Sequence, residues 1–305
     1  IVRVKACAIC GSDVHGYDGK SGRRQPPVIM GHEAAGVISQ VGEKVSMYKA
    51  GDRVTFDSTE YCGHCWFCTH GMHNLCAQRR IVGVACTEYR KNGAMAQYIA
   101  VKARTLYALP PAVSFEQGCL VEPFAVGMHA VLRSGLAAGQ TAAVIGDGTI
   151  GLMTLIAAKS QGAQVCISGH HTRPMQLAAQ LGALDCAQLP QLTAERGADV
   201  VYDAVGSQSS FTQAMELVRK GGRIMVIGNH TRTIDFPLQR CITEQIDVQF
   251  SYSSAGEYPV CLQAIAEGRA DLTGLWQSFP LAEGAQVFNR LVHRDESLTK
   301  AILIP

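Results

Sequence analysis

Four cysteines stand in the pattern C-x2-C-x2-C-x7-C: Cys62, Cys65, Cys68 and Cys76 in YCGHCWFCTHGMHNLC. Four thiolates this close along a chain can close a tetrahedral shell around one zinc ion. A closed shell has no open coordination position, so its expected role is to pin a loop rather than to do chemistry. His64, His70 and His73 lie in the same lobe; four suitably spaced thiols suffice, and these histidines read as loop residues. Two other segments, CAICGSDVH and GHEAAG, carry Cys10, His32 and Glu33. Sulfur, nitrogen and oxygen donors suit zinc, and a site with a free position could do catalysis. Their spacing is too irregular to identify a site by itself, and a histidine in a glycine-rich turn is more often structural than a ligand.

The second chemical signal is the turn Gly146-Asp147-Gly148-Thr149-Ile150-Gly151. It follows an apolar strand-like run and opens a helical one, the context in which GxGxxG reads as a dinucleotide site. The first glycine permits the tight turn, the second lets the backbone approach a pyrophosphate, and the third allows close helix–strand packing. The helix N-terminus offers free N–H groups to the phosphates. The acidic residue expected at the end of the next strand is missing: the chain there reads Ser168-Gly169-His170-His171-Thr172-Arg173. A neutral glycine flanked by Ser168, His170 and Arg173 leans towards the 2′-phosphate of NADP, while a turn that tolerates either NAD or NADP fits as well.

A resemblance joins these pieces. Gly31-His32-Glu33-x2-Gly36-x5-Gly42-x2-Val45 resembles the zinc signature of the medium-chain, zinc-containing alcohol dehydrogenases, and the cysteine lobe and GxGxxG turn follow in that family's order. The segment Val121-Glu122-Pro123-Phe124-Ala125-Val126-Gly127-Met128-His129 is similar to the sorbitol (L-iditol), threonine and polyol dehydrogenase branch, where Glu122 stands in place of the cysteine of simple alcohol dehydrogenases. The resemblance implies two zinc ions per chain, one structural and one catalytic. It implies that Cys10, His32 and either Glu33 or Glu122 hold the catalytic zinc, that Ser12 and His15 relay the proton, and that Asp13 orients His32. Without it, Ser12 and His15 would read as a turn residue and a surface histidine. Zinc with an open position polarises an alcohol or carbonyl oxygen as a Lewis acid. Three departures from the branch bear on cofactor and substrate. Gly169 replaces the acid and Pro174 the usual arginine, with Arg173 one place early. Gln277-Ser278 precedes Phe279-Pro280-Leu281 where a His-Arg pair is common. Ser253 falls near an arginine position of sorbitol dehydrogenases.

The elements that must position these residues can be read from periodicity. Up to about residue 113, alternating runs such as Val37–Val41 and Val54–Phe56 are separated by Gly, Asp and Lys clusters, which suggests antiparallel β structure. A helical stretch follows over Phe115–Ser134. Then strands alternate with helices: AAVIG, a helix over Ile150–Gln161, QVCISG, a helix over Arg173–Leu181, ADVVYDAVG, a helix over Ser210–Arg219, RIMVIG, and a strand at Val248–Tyr252. Such alternation predicts parallel βαβ units. A helix at Tyr258–Gly268 and a tail ending in the strand LTKAILIP complete the chain. The expected fold class is α/β: a GroES-like β-rich catalytic domain (residues 1–120 and 253–305) and a Rossmann doubly wound parallel sheet binding NAD(P) (residues 121–252). The chain opens inside a strand-like pattern without a methionine, as though truncated at its N-terminus.

Composition narrows the partners. With 305 residues, 47% hydrophobic and 17% charged, the chain can bury a core without covalent staples. A net charge of +2 with no long basic run predicts no nucleic-acid binding. The longest apolar stretch, Ala142–Ala158, is broken by Asp147 and falls short of the roughly 20 residues a membrane span needs. Twelve cysteines without a visible signal peptide suggest a cytoplasmic protein with thiols as metal ligands. The expected partner is a small-molecule alcohol or polyol, and the apolar strand Val248–Tyr252 suggests a homodimer or homotetramer. The expected activity is hydride transfer between a secondary alcohol and NAD(P). A threonine-3-dehydrogenase-like amino-alcohol enzyme is the alternative within that class, and a non-catalytic NAD(P)-binding sensor the alternative outside it.

Overall fold

Alternation in the opening run VRVKACA turns every second side chain inward, so Val2, Val4 and Ala6 are buried while Arg3 is exposed. The strand Val2–Ala8 is the hub of a seven-stranded sheet in the computed structural model, which describes all residues from Ile1 to Pro305. Along one path the strands run Gln277–Pro280, Ala301–Ile304, Val2–Ala8, Glu33–Ile38, Arg53–Phe56 and Leu106–Ala108, and Tyr98–Ile99 also pairs with the hub. The last strand of the chain therefore lies beside the first. Register sets the chemistry of one sheet end: Ala8 pairs with both Glu33 and Ile302, so Glu33, Cys10 and Lys300 emerge together. Val2, Val4, Ile38, Val54 and Phe56 fill the core beneath the sheet.

A second sheet is built from parallel strands in the order Leu184–Asp185, Gln164–Ser168, Thr141–Ile145, Ala198–Asp203, Val218–Val226, Asp247–Phe250. By sequence rank that is 3-2-1-4-5-6, the doubly wound order of dinucleotide-binding folds. Every residue of Thr141–Ile145 is buried, as a central parallel strand covered on both faces requires. The chain divides into two compact units: Ile1–Glu122 with Ser254–Glu267 and Thr273–Pro305, and Pro123–Ser253 with Gly268–Leu272. The first carries the mixed sheet and the second the parallel one.

Three elements depart from the periodicity reading. The helix expected over Phe115–Ser134 is two helices, Phe115–Cys119 and Val121–Ser134. Pro123 has no N–H to bond the Cys119 carbonyl, so the turns separate at Leu120. The helix expected to reach Arg219 ends at Leu217, because Val218 already belongs to a strand in register with Ala198. A helix over Gly11–Tyr17 also stands where the sequence reads as a turn.

Candidate active site

Cys10 stands two residues beyond the hub strand and caps the helix Gly11–Tyr17. Glu33 opens the neighbouring strand and His32 immediately precedes it, led in by Gly31 at φ +95°. A side chain at Gly31 would be strained and would also meet Cys7 Sγ and Met95 N at under 3 Å, so only glycine fits ahead of His32. The ligand atoms of Cys10, His32 and Glu33 all lie within 4.8 Å of one another. His32 and Glu33 are buried. A thiol, an imidazole and a carboxylate converging in this way fit a zinc site with room for a further ligand. Asp13 is fully buried, with Oδ2 3.5 Å from His32 Nδ1 and accepting from Cys10 N at 3.2 Å. Burial alone would raise the Asp13 carboxyl, but His32 and Arg24 outweigh it and hold it down to about 2.

Glu33 and Glu122 differ in their surroundings. Lys300 Nζ donates to Glu33 Oε1 at 2.8 Å and lies 2.6 Å from Oε2, with both side chains buried. Glu122, in the first turn of Val121–Ser134, accepts from Ser58 Oγ at 2.9 Å. Burial pushes its carboxyl up, and the neighbouring charge of Glu33 adds to this while His32 opposes it. Sequence reasoning missed Lys300. The signal was there, a single charge inside the apolar strand run LTKAILIP, but only the register shows that it meets Glu33. In metal-stripped protein, Lys300→Met leaves Glu33 buried and unpaired and should lower unfolding stability by about 3–5 kcal/mol. Adding Glu33→Gln should restore part of the loss, read by denaturant unfolding.

Ser12 and His15 lie one turn apart on Gly11–Tyr17, both exposed. The Ser12 hydroxyl accepts from Arg24 Nη2 at 3.1 Å, a partner the sequence does not suggest.

The cysteine lobe forms a separate cluster. Thiolates about 2.3 Å from a tetrahedral centre would stand about 3.8 Å apart. Here Cys62 and Cys68 Sγ are 3.9 Å apart, Cys65 and Cys68 Sγ 3.5 Å, and all four sulfurs lie within 4.8 Å of one another. Backbone N–H donors lower the Cys62 thiol to about 6, while burial and the neighbouring thiols push Cys68 up to about 12. Four thiols so close cannot all ionise without a cation among them, so the residues fit a metal. The lobe's histidines are engaged elsewhere: His70 stacks on Trp66, His73 on Tyr61, and His64 Nδ1 meets the Cys62 carbonyl.

In the parallel-sheet unit, Gly146 turns the chain at φ +102°, and any Cβ on Gly151 would collide with the Gly146 carbonyl. A Cβ on Gly148 would meet nothing within 4 Å, so the backbone there lies open to a ligand. Gly148 caps the helix Thr149–Ser160 without a side chain, leaving the N-terminus available to phosphate. Ile150 lies in the first turn of that helix. Ser168 Oγ accepts from Gln213 Nε2 at 2.8 Å.

Two family models match the chain: the alcohol dehydrogenase GroES-like domain over residues 1–111 and the zinc-binding dehydrogenase domain over 149–267. The sorbitol dehydrogenase of Bacillus subtilis is 30% identical over 320 residues, covering 100% of this chain and 90% of that protein. The chain belongs to the zinc-binding alcohol dehydrogenases. It is thus an oxidoreductase acting on CH–OH groups with zinc and NAD or NADP, as its motifs led one to expect. Solved relatives agree in fold. A zinc-binding dehydrogenase of Sinorhizobium meliloti bound to NADP superposes with TM-score 0.89 at 27% identity, over 100% of this chain and 91% of that one. An alcohol dehydrogenase of Escherichia coli complexed with NADH gives 0.89 at 26%, with the same coverage. No helix is long and apolar enough to cross a membrane.

The family context makes the second turn of the nucleotide unit informative. Asp147, inside the glycine-rich turn, directs its carboxylate at the end of the next strand. Oδ2 accepts from His170 N (2.8 Å) and His171 N (2.6 Å), and Oδ1 lies 2.9 Å from His171 Nδ1. Any Cβ on Gly169 would collide with Asp147. The carboxylate missing at position 169 has been exchanged for one supplied from the first turn, and that one is buried and already holds three donors.

Proposed function

We propose that the chain interconverts a secondary alcohol of a polyol, sugar alcohol or sugar acid with its ketone, using Cys10, His32, Glu33 and Glu122 around a catalytic zinc. The gathering of a thiol, an imidazole and a carboxylate within 4.8 Å carries this reading. When bound, zinc supplies Lewis-acid polarisation of the alcohol oxygen, and the nicotinamide supplies a hydride acceptor. The chain's residues do the rest. Cys10, His32 and Glu33 are the three donors. Asp13 orients the imidazole of His32, as partners of ligating histidines do. Glu122 adds acceptor oxygens that a second hydroxyl can use, which a cysteine there would not offer; this and the similarity to a sorbitol dehydrogenase favour polyols over simple alcohols. Ser12 and His15, one turn apart and exposed, pass the proton towards solvent. Cys62, Cys65, Cys68 and Cys76 hold the structural zinc. A panel of D-sorbitol, 2,3-butanediol and L-threonine, run with both cofactors, tests this. Turnover of threonine alone would move the assignment to an amino-alcohol dehydrogenase. No turnover, with one zinc per chain, would leave a cofactor-binding sensor.

The same reading extends to the cofactor, for which we favour NADP. Asp147 is spent on the turn, no acid follows the second strand, and Arg173 Nε is buried without a hydrogen-bond partner in the first turn of Thr172–Gln180. Ribose hydroxyls find no ready carboxylate there, while a 2′-phosphate finds a guanidinium. Arg173→Ala should raise the KM for NADP about 10- to 100-fold and leave that for NAD within a factor of about two. Equal losses with both cofactors would refute the preference.

Self-association through the edge strand Asp247–Phe250 fits the exposure of Phe250, Tyr252, Leu238 and Ile242 in the same unit. Twelve free thiols fit a cytoplasmic location.

A further inference from the structure

Arg24 lies in a polar segment, yet its side chain is only 4% exposed. Its Nε donates to Asp13 Oδ1 at 3.0 Å, and Nη2 reaches the same oxygen at 3.0 Å. Nη2 also donates to Ser12 Oγ at 3.1 Å, and Nη1 to the Arg23 carbonyl at 3.2 Å. The other Asp13 oxygen faces Cys10 N and His32 Nδ1. One guanidinium therefore grips both the carboxylate behind the two metal donors and the hydroxyl of Ser12. The seat is shaped for it: any Cβ on Gly16 would collide with the arginine stem, and backbone bonds from Gln25 N to Ala85 O and from Ala85 N to Arg23 O pin the chain on either side.

The chemistry of such a grip has two parts. A buried carboxylate is held in place by two guanidinium nitrogens converging on one of its oxygens, a charge-assisted contact, better than by one neutral bond. A serine hydroxyl has one proton and two lone pairs. With a lone pair occupied by Arg24, the Ser12 proton is turned away from the guanidinium. Lysine, a point charge without the fork, could answer Asp13 but not both partners at once.

We propose that Arg24 is a positioning residue with two separable tasks: it fixes Asp13 behind Cys10 and His32, and it aims the Ser12 hydroxyl. The second task rests on Ser12 being the first proton carrier, as proposed above. The test uses the purified zinc-loaded protein and the variants Arg24→Met, Arg24→Lys, Ser12→Ala and Ser12→Ala/Arg24→Lys. One readout is zinc release to the chromogenic chelator 4-(2-pyridylazo)resorcinol, with the phase from this site identified as the one missing in Cys10→Ala. The other is kcat and KM for the best alcohol of the panel with NADP.

Arg24→Met should release that zinc about 10- to 100-fold faster and lose a similar factor in kcat. Arg24→Lys should restore zinc retention but keep a loss in kcat of about tenfold or more, with KM unchanged. In the Ser12→Ala background, Arg24→Lys should cost nothing further. Parallel changes in zinc release and kcat for Arg24→Lys, or additive losses in the double variant, would overturn the proposal and assign Arg24 a general packing role. Full kcat in Ser12→Ala would instead defeat the reading of Ser12 and the second task with it, while the zinc-release comparison still decides the first.

Discussion

Cys10→Ala is expected to abolish alcohol oxidation, lowering kcat/KM by about three orders of magnitude or more, while cofactor binding persists. The size follows from what is removed. A metal positioned at the reacting oxygen contributes several kcal/mol of charge stabilisation, and each 1.36 kcal/mol is about a factor of ten. Cys10 is the only thiol among the three clustered donors, so its loss removes a ligand, while the backbone N–H that Asp13 accepts from is kept. Metal analysis should fall from two zinc ions per chain to one. Cofactor affinity should hold, because the glycine-rich turn belongs to the other compact unit. Unchanged turnover in this variant would remove the proposed site.

The second large effect is expected in the cysteine lobe. Cys65→Ser should weaken zinc binding at the other cluster by removing one of its four ligands, and should loosen the loop rather than the chemistry. The lobe has little core of its own. Its helical pieces are Trp66–Thr69 and His73–Leu75, and Trp66, Phe67 and Leu75 are exposed. The two-stranded pair Thr59–Glu60 and Arg80–Ile81 flanks it but does not enclose it. With so little apolar burial, metal–sulfur bonds must supply most of its order. A closed four-ligand site contributes ~10–16 kcal/mol in small metal-folded peptides, so one ligand's share is on the order of 3 kcal/mol. Hydrogen exchange over residues 62–76 should then accelerate by about two orders of magnitude, with the strands of the parallel sheet unaffected. Protection retained in the lobe would mean that packing, not metal, holds it.

These two clusters were not equally legible in the amino-acid sequence. Ligands for a closed site can all come from one short loop, so spacing alone exposes Cys62, Cys65, Cys68 and Cys76. Cys10, His32 and Glu33 come from two separate segments, and local spacing carries no record of which strands lie side by side. A family motif joined them on paper; in space the Ala8–Glu33 register joins them. The helix Gly11–Tyr17 went unread because two glycines weaken its propensity and Cys10 is no ordinary cap.

What the sequence determined by itself was therefore local. The strand–helix alternation that builds a parallel sheet, the glycine-rich turn and the four-thiol lobe each depend on neighbours within about 30 residues. Only the tertiary structure decided what lies far apart in the chain. It set Lys300 against Glu33, 267 residues away, and Arg24 across Ser12 and Asp13. It also turned Asp147 onto the strand end where Gly169 leaves room for it. The physical reason is common to all three. A buried charge must find its partner, and the partner is whichever residue the sheet register and loop packing bring within reach.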